Sequence, residues 1–302
     1  MDSDYRAMLA YAARIGADPL LVQGAGGNVS IKRDGVLWVK ASGTWLMHAI
    51  ERDIMVPVSL DPLLRAIADD DADAMEAAHR FLPDWAETTL RPSIETTMHG
   101  LLPHRIVVHV HCVETIARAV RLDAETVIAP LLAGLHWGFV PYVRPGAPLA
   151  RAIAAVLRPE MDVLVLGNHG LVVGAGTVAD VAALVAEVSN RLRQPARASA
   201  DIAVDPVSLA LARQGSLYPD HVIFLGPGIF ETASRWPMRV VPGVGVEMAE
   251  HATPGAHAMA RCLTDVTARL AADTPLRVLT RDEEAALLGW DAEQYRQTLD
   301  AA

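Results

Sequence analysis

The sequence predicts an α/β protein with one large domain and one smaller domain, and three observations carry that expectation. At 302 residues the chain exceeds an ordinary single domain. Hydrophobic residues make up 52% and aromatics only 5%, so the interior is expected to be built from Ala, Val, Leu and Ile. Short apolar runs with a period of two alternate along the chain with longer stretches of helical spacing.

The first stretch, "SDYRAMLAYAARIG", reads as a helix from Ser3 to about Ile15, closed by Gly16. A glycine loop, "GAGGN", then feeds a hairpin in which Asp34-Gly35 is the turn between "VSIKR" and "VLWVKA", the second strand ending at Ser42-Gly43. "PVSLDPLLRAI" reads as the start of a helix, "DDDAD" as a solvated acidic loop, and "PSIETTMHGLLPH" as a helix beginning near Pro92. The strand "IVVHVHC" follows, then helical "ETIARAVR" and the loop-rich "HWGFVPYVRPGAPLARAI". "MDVLVLGNHGLVVGAG" has the form of two strands joined by "GNHG", and a long helix starts at Thr177, a residue type suited to an N-cap. Pro195 ends that helix, and "ARASADIAVDPVS" has linker composition, so the expected domains are 1–195 and 205–302. In the second, "HVIFLGPG" and "MRVVPGVGVEM" read as strands, "GAHAMARCLTDVTARL" as a helix, and "EEAALLGWDAEQYRQTL" as an amphipathic acidic segment.

The net charge of −10 provides no basic footprint for nucleic acid or anionic lipid. Apolar runs are interrupted before they reach the roughly 20 residues of a spanning helix, and the acidic N-terminus lacks the layout of a secretion signal. The only two cysteines, Cys112 and Cys262, form neither a C-x-x-C motif nor a disulfide framework, which fits a reducing cytoplasm.

On the strand "IVVHVHC" a period of two places Ile106, Val108, Val110 and Cys112 on one face and Val107, His109 and His111 on the other. Alternate residues lie roughly 7 Å apart, close enough for both rings to tilt onto one ion. These residues alone fit equally well one hydrogen-bonded histidine beside a surface one. "GAGGN" matches neither nucleotide-binding glycine pattern and leads into a strand rather than a helix. It can still form a backbone nest for an anion, with Asn28 and Ser42-Gly43 as candidate donors, or be an ordinary turn. Glu95 and His99 share a helical face just before the histidine strand. His169, in "GNHG", reads by itself as a turn residue, and His221, in "YPDHVIFLG", as a strand-edge residue.

Taken together, "GNVS", "SG", "PSIE", "HVH" and "NHG", in that order, resemble the class II aldolase/adducin family of fuculose-phosphate and rhamnulose-phosphate aldolases and ribulose-phosphate epimerase. "LWVKASG", "PSIETTMHGLLPH", "VPYVRPGAPLA" and "YPDHVIFLGPG" look most like its rhamnose-utilisation type predicted aldolases. The resemblance implies a three-layer α/β/α domain around a mainly antiparallel or mixed sheet. It implies that His109, His111 and His169 bind a divalent metal, Zn2+ or else Mn2+ or Co2+, that Glu95 is the catalytic carboxylate, and that Asn28, Ser42, Gly43 and Ser93 hold a substrate phosphate. The implied activity is a lyase that makes or breaks a C–C bond through a metal-stabilised enediolate, on a small keto, aldehyde or sugar-phosphate substrate, in a homotetramer.

Two departures mark this chain. Ile94 stands where phosphate-gripping members carry a second serine, and the region of the family's proton-donating tyrosine reads "LAGLHWGFVPY", with Tyr142 or His136 as substitutes. A decarboxylase or epimerase on the same fold therefore stays an alternative. A non-catalytic adducin-like module is a further one, although such relatives lack the metal histidines that this chain retains.

Overall fold

The computed structural model describes residues 3–198 and 201–300. Its strands are β1 Asn28–Arg33, β2 Val36–Lys40, β3 Met55–Ser59, β4 Ile106–Val110, β5 Trp137–Val140, β6 Val163–Leu166, β7 Gly170–Ala175, β8 Met238–Val241 and β9 Gly245–Met248. The helices up to the middle of the chain are α1 Ser3–Gly16, α2 Leu60–Ala68, α3 Ala72–Glu76, α4 Thr96–Leu101, α5 Val113–Ala119, α6 Ala124–Ile128, α7 Ala147–Val156 and α8 Val178–Arg191. Those that follow are α9 Pro206–Ala212, α10 Pro219–Leu225, α11 Pro254–Thr267, α12 Arg281–Leu288 and α13 Asp291–Asp300.

Seven strands form one mixed sheet in the order β3-β2-β1-β4-β7-β6-β5. All neighbours are antiparallel except β5 and β6. The β1–β2 turn has Asp34 at φ 51° and Gly35 at φ 74°, the left-handed pair that a two-residue hairpin requires. β4 lies in the middle, and its alternation sorts its side chains as the sequence predicts. Ile106, Val108, Val110 and Cys112 join the core under α1 and α8, with Met8, Tyr11, Val181 and Val185. Val107 faces the other way, into a core with Met98 and Leu102 near α4 and Leu149 and Ile153 of α7. Helices therefore cover both faces of the sheet, the three-layer arrangement expected. Each apolar side chain buried in this way contributes about 1.5–3 kcal/mol.

After residue 200 the chain is mostly helical, with β8 and β9 as a small antiparallel hairpin. Its core, containing Val222, Leu225, Met259 and Leu263, is continuous with Val113, Ile116, Ala117 and Val120 around α5. The seam is polar as well as apolar. Asn168, at φ 53°, donates to the carbonyls of Leu217 at 2.8 Å and Arg277 at 2.6 Å. Arg269 pairs with Glu114 at 2.9 Å.

Several local expectations need correction. "HVIFLG" is the helix α10: Pro219 occupies its first turn, and Gly226 at φ 92° ends it. His221 is accordingly a fully buried helix residue rather than a strand edge, its Nε2 2.8 Å from the Gly228 carbonyl oxygen. The loop-rich stretch contains β5 and α7, and "MRVVPGVGVEM" is a hairpin, not one strand. The helix expected at Pro92 starts at Thr96, and the "DDDAD" loop runs into α3. The linker expectation falls partly on residues 199–200, which lie outside the described residues.

Candidate metal centre

Four elements converge at one end of the sheet. His109 is on β4, one residue before its end, and His111 lies just beyond it. His169 sits in the β6–β7 turn, which the left-handed Asn168 makes sharp. Glu95 is the residue before α4. All four are buried, and their ligating atoms lie within 4.8 Å of one another. The closest approaches are His111 Nε2 to His109 Nε2 at 3.1 Å, His109 Nε2 to Glu95 Oε1 at 3.2 Å, and His169 Nε2 to Glu95 Oε1 at 3.3 Å. Ligands about 2.0–2.1 Å from a tetrahedral zinc stand about 3.3 Å apart, so these distances fit one small divalent ion.

The electrostatics point the same way. Burial works to raise the Glu95 carboxyl, but the neighbouring histidines, His109 first, hold it well below the ordinary carboxylate range. Burial opposes the charge on His109, yet Glu95 and the Leu171 carbonyl raise its pKa overall. Burial, reinforced by His109, pushes His169 down to about 3, so its imidazole is neutral with a lone pair to give. The centre therefore favours positive charge while offering unprotonated nitrogen, which is what a cation site requires. The Nδ1 of His109 is anchored 3.0 Å from the Leu171 carbonyl oxygen, which leaves its Nε2 for the centre.

The cavity beside these residues measures about 20 Å³ and includes Ser42, Gly43, Ser93, Ile94, Glu95, His111 and His169 in its walls. That is room for about one water. A much larger cavity of about 740 Å³ opens beside Tyr5, Trp38 and Trp85, but it contains none of the converging ligands. Size is a poor guide here because it records a surface groove, not a place where donors meet.

Of the residues expected to hold phosphate, Ser42, Gly43 and Ser93 reach the cavity, where the Ser93 hydroxyl accepts from the Glu95 amide at 3.2 Å. Asn28 stands behind them, opposite His109 in the β1–β4 register, fully buried and with neither side-chain amide atom partnered. His99 turns away, its Nδ1 2.8 Å from the Ser30 hydroxyl, and burial pushes it down to about 3. His136 is largely exposed and pairs with Asp162, and Tyr142 packs its ring under Arg277, so neither borders the cavity. Both cysteines are buried and free.

Four site residues were not singled out from the sequence: Lys40, Asp220, Glu293 and Arg296. Lys40, pushed down to about 7 by burial with Arg296 adding to the effect, donates to the carbonyls of Ala25 at 2.8 Å and Thr44 at 2.7 Å. It thereby ties the glycine loop to the turn after β2. Asp220 stands 3.1 Å from His111, and Arg296 lies between Asp220 and Glu293. Two signals were available: a lysine closing an apolar strand in "LWVKASG", and an aspartate within the quoted "YPDHVIFLGPG".

Residues 7–194 match the sequence profile of the Class II Aldolase and Adducin N-terminal domain. The chain belongs to the class II aldolase/adducin family. Among solved structures it is similar to the N-terminal class II aldolase domain of a conserved protein from Thermoplasma acidophilum. That likeness has a TM-score of 0.56 and 27% identity, covering 64% of this chain and 93% of that one. An L-fuculose-1-phosphate aldolase from Thermus thermophilus is 15% identical at a TM-score of 0.41, covering 62% of this chain and 92% of that one. A Bacillus subtilis protein, the uncharacterized oxidoreductase YuxG, is 31% identical over 171 residues, 52% of this chain. The chain spans about a quarter of that relative's length, 24%. Among the described residues no helix is long and apolar enough to cross a membrane.

Proposed function

We propose that the protein is a divalent-metal-dependent lyase of the aldolase type, making or breaking a C–C bond next to a ketone in a small hydroxy-keto or sugar-phosphate substrate. The observation that carries this reading is the convergence of the Nε2 atoms of His109, His111 and His169 with Oε1 of Glu95 in one closed pocket. Three imidazoles and one carboxylate suit Zn2+ best, with Mn2+ and Co2+ as alternatives. The bound ion supplies Lewis acidity to the substrate's carbonyl and hydroxyl oxygens, worth several kcal/mol.

The chain's own residues supply the rest. Glu95, kept ionised by its histidine neighbours, takes the proton from carbon beside the carbonyl and returns it on the reverse path. Ser42, Gly43 and Ser93, with Asn28 behind them, hold the anionic end of the substrate away from the ligands. A cavity of about 20 Å³ cannot take such a molecule, so entry requires part of its wall to move aside. Metal analysis and deuterium exchange test the reading. Purified protein is expected to hold about one divalent ion per chain and to wash the α-proton from dihydroxyacetone phosphate or a related hydroxyketone. A folded protein that takes up no zinc would sink it.

Decarboxylation or epimerisation is the second reading, and Ile94 in the cavity wall favours it by removing one phosphate donor. Screening for CO₂ release against aldehyde release separates the two. An adducin-like interaction module ranks third; it is expected to keep its binding after His109→Ala and His111→Ala, whereas an enzyme loses metal and turnover. The reading also includes a division into domains at 1–195 and 205–302, a homotetramer and a cytoplasmic location. Sedimentation of the purified chain checks the tetramer.

A further inference from the structure

The second ring nitrogen of His111 meets a carboxylate that the family domain does not supply. Nδ1 of His111 lies 3.1 Å from Oδ2 of Asp220, a residue on α10, outside the matched range 7–194. From this geometry we infer that Asp220 is a positioning residue of the metal centre, which accepts the Nδ1 hydrogen of His111 and so fixes the ring with the Nε2 lone pair turned toward His109 and Glu95. The inference rests on reading Glu95, His109, His111 and His169 as a metal site.

Imidazole can carry its proton on either nitrogen, and only the one without it can ligate. His109 is held in the ligating form by a backbone carbonyl at its Nδ1. His111 has at its Nδ1 a buried carboxylate oxygen, Oδ2 of Asp220, within ion-pair distance and with no hydrogen bond from any other group. An ionised carboxylate is a stronger acceptor than a carbonyl and makes the opposite nitrogen a better donor to a metal. The pair is sealed from water, with His111 6% and Asp220 3% exposed.

Asp220 is itself held in place. Its other oxygen, Oδ1, accepts from Arg296, whose Nε lies 2.7 Å from Glu293 and whose guanidinium rests 5.1 Å from the centre of the Phe224 ring. The carboxylate cannot swing away without leaving a buried arginine short of a partner.

An independent observation comes from the glycine loop. A Cβ on Gly26 would lie 2.7 Å from Nδ1 of His111 and 3.1 Å from Oδ2 of Asp220, in the space where the two meet. Gly26 has no left-handed backbone conformation to satisfy. A side chain there would also meet the Gln23 carbonyl oxygen of the same turn at 2.9 Å, so this glycine of "GAGGN" leaves room both for its own turn and for the contact at the proposed metal ligand.

The experiment measures zinc affinity by competition with a chromophoric chelator, on the full-length chain and on Asp220→Asn and Gly26→Ala. Nitrogen-15 spectra of the histidine rings accompany it. Folded Asp220→Asn is expected to bind Zn2+ about ten- to a hundredfold more weakly, and Gly26→Ala to weaken in the same direction. In the unsubstituted, zinc-loaded protein His111 is expected to carry its proton on Nδ1. A purely structural aspartate would lower the melting temperature but leave both the zinc affinity of the folded protein and the His111 tautomer unchanged, and that result overturns the inference. If Asp220→Asn does not fold, the tautomer in the unsubstituted protein decides, since a proton on Nε2 also overturns it. Failure of the unsubstituted protein to bind zinc defeats the metal reading itself, a different outcome from equal binding by protein and variant.

Discussion

Two clusters of buried charge meet at the site and are built on opposite principles. The cluster from the first 194 residues, Glu95 with His109, His111 and His169, points four ligating atoms at a common centre and contains no lysine or arginine. The cluster from the end of the chain, Asp220 with Glu293 and Arg296, is joined by ion pairs through the arginine and touches the first only where Asp220 meets His111. Burial does not distinguish them, because both are almost inaccessible to solvent. What differs is compensation: on the proposed reading the first cluster is completed by a cation from outside, while the second is joined by its own ion pairs and braces the first through Asp220 and His111. Elsewhere, His99 and His221 are as inaccessible as His109, yet His221 meets backbone groups at both ring nitrogens, and His99 is turned to the Ser30 hydroxyl by its Nδ1 with its Nε2 buried and unpartnered.

The contrast can be tested from its strongest consequence downward. Replacing His109 with alanine is expected to abolish zinc retention and reduce turnover by roughly a thousandfold or more, since several kcal/mol of polarisation is lost. Metal analysis and steady-state rates measure it, and a variant that keeps both would erase the distinction between the clusters. Glu95→Gln keeps the three imidazoles but removes the base. Its rate is expected to fall about a hundred- to ten-thousandfold while saturating zinc still binds. Retained proton exchange in that variant would move the base elsewhere.

The histidines with internal partners predict a pH effect on stability rather than on chemistry. Burial pushes His99 down to about 3 and His221 down to about 4, against an ordinary value of 6.5. Above pH 6.5 both are neutral whether folded or not, so their packing is undiminished. As the pH falls from 6.5 toward 4 the unfolded chain takes up protons that the folded one refuses, and stability is lost, on the order of 3 kcal/mol for a shift of this size. Chemical denaturation between pH 7.5 and 4.5 measures this loss. His221→Gln is expected to flatten the profile, and an equally steep variant would count against a neutral His221.

A smaller effect is expected at the seam. Asn168→Ala removes two hydrogen bonds between the His169 turn and the end of the chain and strains a left-handed residue, costing about 2 kcal/mol. Asn168→Gly loses the same two hydrogen bonds but suits the left-handed backbone, so the difference in melting temperature between the two variants isolates the strain. The smallest effect is expected at Trp85, exposed beside the large cavity, where alanine should leave the rate and zinc affinity unchanged. A loss of either would make that groove part of the site.

Much of this was legible in the sequence because it is local. The period-two alternation around His109 and His111, the Asp34-Gly35 turn and the Thr177 cap each depend on residues within a few positions, and the structure places them as read. The failures have a common cause. "HVIFLG" is a short apolar run whose pattern fits a strand or a buried helix equally, and its surroundings decided for the helix. "HWGFV" lacks a clean alternation because β5 is an edge strand, paired on one side only.

The sequence by itself determined the strand that carries His109 and His111, because hydrophobic period is written along the chain, and its motifs carried the resemblance to the family and to the proposed ligand set. Only the tertiary structure decided that Asp220 stands at His111, that Gly26 leaves room for the contact, and that Glu293 and Arg296 join the cavity wall. Those contacts join segments far apart in sequence, where no periodicity reaches. They exist because the shared core around α5 packs the end of the chain against the end of the sheet.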